Sequence, residues 1–124
     1  MIVVTGEALI DLVIDPDGVV TAALGGAPFN TARAIGRLGL PVSFVGAIST
    51  DRFGTMLCAR LEADDVALDH VMRVEVPTTL AAAELDEYGT AAYRFYIQGT
   101  SVPALGSAPP GLECDVLFTG GLGL

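Results

Sequence analysis

A chain of 124 residues and 12.7 kDa suits one domain of ordinary size or part of a larger one. With 6 Lys plus Arg against 15 Asp plus Glu it carries a net charge of −9, which excludes a basic footprint for nucleic-acid phosphates or for an anionic membrane surface. A hydrophobic content of 52% excludes intrinsic disorder, and a mean hydropathy of +0.59 is high enough to suggest a partner surface outside these residues.

Residues 2–5 (Ile-Val-Val-Thr) form a short apolar, β-branched run ended by Gly6, the pattern of a buried strand. The segment Met1–Glu7 has no basic stretch and meets an acid at once, so it does not read as a secretory signal. Leu12-Val13-Ile14, the turn Asp15-Pro16-Asp17-Gly18 and Val19-Val20-Thr21 together spell a hairpin. Gly25-Gly26 then break the chain before a helix predicted from near Pro28 to Gly39, with Phe29, Ala32, Ile35 and Leu38 on its apolar stripe. Arg33 and Arg37 face elsewhere. Val42–Gly46 is the next strand, after which Ser49-Thr50-Asp51 offers capping oxygens to a helix carrying Phe53, Met56, Leu57 and Leu61. Alternation of strand and helix argues for a parallel sheet covered by helices.

Beyond residue 70 the pattern changes. Residues 71–76, 79–85 and 92–98 read as strands, with the turn Asp86–Gly89 between the last two. Joined to the early hairpin, they are expected to make a small antiparallel sheet apart from the main one. A Pro- and Gly-rich link over 102–111 leads to Asp115–Thr119, read as a buried strand of parallel type. So apolar a strand needs cover on both faces, and two helices are few for three main strands. The expectation is an N-terminal portion of a longer α/β protein.

The string Gly25-Gly26-Ala27-Pro28-Phe29-Asn30-Thr31-Ala32 is the strongest chemical signal. Two glycines admit close approach to the backbone, the helix head presents free N–H groups, and Asn30 carries both a donor and an acceptor suited to polyol hydroxyls. A plain Gly-Gly turn at the start of a helix is the competing reading. Asp11 lies just past the first strand, where α/β sheets bind ligands, and spacing leaves open a hydroxyl acceptor or a solvated acid beside a hairpin. Tyr93, Phe95 and Ile97 share one strand face that could stack on a sugar ring or serve packing alone. His70, the single histidine, has no partner in sequence, so no Ser-His-Asp or Cys-His constellation is expected. Cys58 and Cys114 show no metal-ligand spacing and read as free thiols of a reducing cytoplasm. Gly121-Leu122-Gly123 could open a dinucleotide loop, a weak signal because its third glycine would fall beyond residue 124.

Together these residues resemble the PfkB (ribokinase-like) family of carbohydrate kinases. The resemblance is carried by Gly6-Glu7-Ala8-Leu9-Ile10-Asp11, the Gly25–Ala32 string with Arg37-Leu38-Gly39, Val45-Gly46 with Asp51-Arg52-Phe53-Gly54, and Gly99-Thr100-Ser101. It implies a three-layer α/β/α (Rossmann-like) sandwich with a small β-sheet lid, of which residues 1–124 are the N-terminal portion and about 11–23 and 71–98 the lid. The Gly-Gly-Ala-Pro-x-Asn string looks most like the fructokinase-like branch. Such kinases move the ATP γ-phosphoryl group to a sugar hydroxyl with Mg²⁺. By resemblance Asp11, Gly25, Gly26 and Asn30 line the sugar pocket, and Phe95 packs on the sugar from the lid.

Two departures sharpen the reading. Ser49 stands where the family often has glycine, and Ile97 stands where 2-keto-3-deoxygluconate kinases place an arginine, so a neutral sugar is expected. The family's Gly-Ala-Gly-Asp segment, with the catalytic base and most of the ATP site, has no match within residues 1–124, so this chain alone is expected to be inactive. The resemblance leaves room for a homodimer paired through the lid sheet. Two other readings stay open: a non-catalytic sugar-binding or assembly module, and a nucleotide-binding Rossmann domain starting at Gly121.

Overall fold

A computed structural model describes residues 1–123; Leu124, the last position of the expected unit, lies outside the described residues. In chain order the elements are β1 (Ile2–Thr5), β2 (Leu9–Ile14), β3 (Val20–Gly25), α1 (Ala27–Arg37), β4 (Val42–Ser49), α2 (Arg52–Ala63), β5 (Val71–Val74), β6 (Leu80–Leu85), β7 (Ala91–Tyr96) and β8 (Val116–Thr119). They make two four-stranded sheets. The main sheet runs β5-β4-β1-β8 with every pairing parallel, and the lid sheet runs β3-β2-β6-β7.

Local chemistry sets the turns. In both hairpins an aspartate opens the turn and its Oδ1 accepts two later backbone N–H groups, those of Asp17 and Val19 for Asp15 and of Tyr88 and Thr90 for Asp86. These side-chain turns specify the hairpin register from local sequence.

β4 is buried along its whole length, which means that both of its faces are covered. Val42, Phe44 and Ile48 point into one core cluster with Val4, Phe29, Ala32, Leu57, Cys58 and Leu61, under α1 and α2. Arg33 ties the two helices, bonding Asp64 at 2.7 Å with its guanidinium 5.5 Å from the Phe29 ring centre. On the other face, Ala47 lies beside the link, where Val102–Leu105 forms a 3₁₀ turn against β4. Ala8 and Ile10 continue the core into the lid sheet, so the two sheets share one apolar interior.

Several expectations are corrected. The strand expected over 71–76 within the lid is β5, which pairs parallel with β4 in the main sheet from Gly46↔Val71 onward. A β-α-β crossover through α2 returns the chain to the sheet it left, and that constraint outweighs any local pattern. The lid segment therefore starts at Leu80 rather than residue 71. Nor is the lid purely antiparallel: β6 leaves the main sheet in the same direction as β2, and the two pair in parallel. Leu38 is 77% exposed because α1 ends at Arg37 and position 38 belongs to the cap. Met56 is 44% exposed, since the buried stripe of α2 runs through Gly54, Leu57, Cys58 and Leu61 at i, i+3, i+4 and i+7. β8 is parallel as expected, paired with β1, but all four of its residues are exposed rather than buried. It is an edge strand, and among the described residues neither helix lies over it.

Candidate functional site

The chain leaves the main sheet for the lid at the carboxyl ends of the parallel strands, where open α/β sheets gather ligands. Asp11 is in the body of β2 rather than in a loop beyond β1. Register places it between Ala23 of β3 and Ala81 of β6, and Ala81 in turn lies opposite Phe95 of β7. Paired residues share a sheet face, so Ala23, Asp11, Ala81 and Phe95 form one transverse row. Ile10, Leu24 and Leu80, which alternate with it, turn to the opposite face and join the core. The row is a carboxylate flanked by methyl groups, with an aromatic ring two strands away, about 10 Å off at ordinary strand spacing.

Gly25 completes this arrangement. Its missing side chain leaves the space that the Asp11 carboxylate occupies, and any Cβ there would collide with Oδ2. Burial pushes the Asp11 carboxyl above its ordinary value. Gly26 follows with φ +107 and caps α1 without a side chain, its α-carbon backed against the Glu7 carbonyl. The Asn30 amide closes the first turn onto the Gly26 carbonyl at 2.9 Å, and Asn30 itself is exposed at the head of α1. The structure thus joins Asp11 to Gly25 and sets Gly26 beside them. Phe95, 51% exposed, shares Asp11's sheet face.

None of these five residues lines the cavity nearby. A cavity of about 380 Å³ opens at the carboxyl ends of the parallel strands, lined by Thr5, Gly6, Ala47, Thr119 and, from the link, Val102 and Pro103. Its volume suits a small molecule. Ile97, the next same-side position after Phe95, also lines it, so the cavity adjoins the aromatic end of the lid row. Sequence reading missed it because residues 102–111 looked like a mere connection, and only the packing of the 3₁₀ turn on β4 makes a wall of them.

A hydroxyl network, also unseen in the sequence, secures the lid where the chain passes between sheets. Asp51 caps α2 through the Gly54 amide at 2.8 Å and also receives the Thr78 hydroxyl at 2.6 Å and the Thr78 amide at 2.9 Å. Fully buried Thr79 bonds the Thr100 hydroxyl at 2.6 Å, takes the Val102 amide at 3.0 Å and donates its own amide to Ser101 Oγ. The chain entering β6 is thereby stitched to the chain leaving β7. Burial pushes the Asp51 carboxyl up, but the hydrogen bonds from Thr78 and Gly54 outweigh it and hold the group below its ordinary value. A carboxyl whose folded pKa is depressed contributes stability above its unfolded pKa, and that contribution is lost as pH falls through the folded value. Urea midpoints measured from about pH 6 to about pH 3 should therefore fall less steeply in Asp51→Asn than in the parent chain. Parallel curves would remove Asp51 from this role.

Cys58 is a buried free thiol and Cys114 an exposed one. Among the described residues no three His, Cys, Asp or Glu side chains come together to hold a metal. The turn after β8 does not suit a dinucleotide: the Leu122 amide that such a loop would offer to a pyrophosphate is already bonded to Glu7 Oε2 at 2.9 Å. No helix among the described residues is long and apolar enough to cross a membrane.

Known proteins share this fold. Residues 1–102 match the family described as pfkB family carbohydrate kinase. The fructokinase of Rhizobium leguminosarum bv. trifolii is 37% identical over 132 residues, covering 100% of this chain and 40% of the relative. Among solved structures, a fructokinase from Xylella fastidiosa superposes with a TM-score of 0.74 at 35% identity, over 82% of this chain and 34% of its own. The same protein with bound ATP gives a TM-score of 0.73 at 34% identity, with the same coverage. The chain thus spans 40% or less of the length of these relatives.

Proposed function

Since the chain belongs to the pfkB family of carbohydrate kinases, we propose that it supplies the sugar-binding part of an ATP-dependent kinase acting on a neutral sugar of the fructose class. The observation that carries this reading is the Asp11 row: a carboxylate set among alanines against Gly25, with Phe95 on the same sheet face. A carboxylate can accept hydrogen bonds from two vicinal hydroxyls, and the glycines let the ring come down to the backbone. Asn30 adds a donor and an acceptor, and Phe95 covers an apolar ring face. Phosphoryl transfer depends chiefly on positioning and electrostatics, so holding the acceptor hydroxyl still and dry is the contribution assigned to these residues.

Ile97 lines the adjoining cavity and offers nothing to a substrate carboxylate, which supports a neutral sugar over an anionic one. The catalytic base and most contacts to ATP are assigned to residues outside this chain, and the isolated chain is expected to bind without turnover. Homodimer formation through the lid sheet belongs to the same reading, because the edge strands β3 and β7 expose Val20 and Tyr96.

The test is a panel of fructose, ribose and 2-keto-3-deoxygluconate, supplied with ATP and Mg²⁺ to the protein that carries this chain, with ADP release as readout. Sugar-dependent ADP release, greatest with fructose and absent with the keto-acid, is expected. Saturable sugar binding with no ADP release would favour the non-catalytic module instead, and preference for the keto-acid would overturn the role given to Ile97.

A further inference from the structure

Glu7 has no part in the site as described, yet it is only 4% exposed and follows the carboxyl end of β1 by two residues. Two distant glycines make room for it. Gly26, at the head of α1, has φ +107, and a Cβ there would stand 2.5 Å from the Glu7 carbonyl oxygen and 3.2 Å from its Cγ. Gly121, after β8, has φ +77, and a Cβ there would fall on the Glu7 carboxyl group itself. Both φ values favour glycine independently of the space. The Glu7 Oε2 then accepts the Leu122 amide at 2.9 Å, and Leu122 together with Gly6 lines the 380 Å³ cavity.

We infer that Glu7 is a positioning residue that locks the turn following β8 against the Gly25-Gly26 loop and so holds the Leu122 side of the cavity in place. One residue thereby touches both the Gly25-Gly26 loop and the turn whose Leu122 lines the cavity. The function lies in reach and acceptor geometry. A side chain one methylene shorter cannot span the slot, whereas an amide of equal length still offers an oxygen to Leu122 N–H.

The inference rests on the sugar-kinase reading, so its test uses two readouts on the protein that carries this chain. In kinetics, Glu7→Ala and Glu7→Asp are expected to raise the sugar KM about tenfold or more while the ATP KM stays within about twofold, and Glu7→Gln is expected to restore the sugar KM to within about threefold. In hydrogen exchange, which needs no activity, protection of the Leu122 amide should be lost in Glu7→Ala and Glu7→Asp and kept in Glu7→Gln. An unchanged sugar KM in both shortened variants overturns the inference, as does a parallel rise in both KM values, which signals general loss of fold. Glu7→Gln behaving like Glu7→Ala also overturns it, because charge would then matter more than the acceptor. Parent protein that turns over no sugar overturns the kinase reading, and Leu122 protection then judges the Glu7 lock separately.

Discussion

Replacing Asp11 with alanine is expected to lower kcat/KM for sugar phosphorylation by about 10²–10³-fold in the protein that carries this chain. Each hydrogen bond from a sugar hydroxyl to a charged acceptor contributes about 1.5–3 kcal/mol, and Asp11 is placed to accept two. Asparagine keeps one acceptor and turns the other into a donor, so Asp11→Asn should lie between alanine and the parent. Stability should move the other way. Burial raises the folded pKa of this carboxyl, so folding favours its neutral form. A group of this kind contributes stability below its unfolded pKa and loses that contribution as pH rises through the folded value. At neutral pH the whole penalty for the buried charge is in force, and Asp11→Asn removes it. The variant should therefore melt higher than the parent at neutral pH and converge with it near about pH 3. Higher Tm with weaker binding is the pattern of a residue kept for its ligand. Full activity in Asp11→Ala would take Asp11 out of the site.

Gly54→Ala should be the most damaging single-methyl change in the main-sheet half. The first turn of α2 lies so close to β4 that a Cβ on Gly54 would run into the Ser49 carbonyl oxygen, with the carbonyl carbon 2.6 Å and the Ser49 Cα 3.1 Å away. All three atoms are backbone, and Ser49 is the last residue of a fully buried strand. Relief requires moving α2, which would break the Gly54 amide bond to Asp51 and loosen the Thr78 tie to the lid. Overpacking against rigid backbone costs about 3 kcal/mol or more, a large share of the roughly 5–15 kcal/mol that holds a domain together. A fall in Tm of about 10 °C or more is expected. Gly89→Ala is the control: its surroundings are open, and only its φ of +80 disfavours alanine, so about 1 kcal/mol should be lost. Equal urea midpoints for the two variants would refute the close approach of α2 to β4.

Both aspartate-led hairpins, the glycine break before α1 and the Asp51 cap of α2 were legible in the sequence, because each is written in residues a few positions apart. Sheet membership was not. Nothing in Val71–Val74 distinguishes a main-sheet strand from a lid strand; the α2 crossover decides it. β8 was read as buried from its apolar run, but burial is a property of neighbours, and the described residues place only β1 beside it. Within the site, Asp11, Gly25 and Gly26 could be named from one sequence string and one strand. Glu7 could not, since its meaning depends on Gly26 and Gly121 reaching it from distant parts of the chain. Phe95 was legible as one face of a strand, though the alanines beside Asp11 gained significance only once register was fixed.

The parallel ladder between β2 and β6 also governs how the molecule is made. Ile10 pairs with Leu80, about 70 residues further along the chain, and the other rungs are equally distant. Closing so long a loop carries an entropic cost before any rung forms. Until β6 arrives, β2 and β3 are a lone hairpin, and lone hairpins are marginal in water. Forming β4, α2 and β5 first would carry the chain back to where β6 begins. Asp11 is therefore expected to acquire its neighbour Ala81 late in folding. A folding chain halted between β5 and β6 would own a hydrophobic core and no pocket.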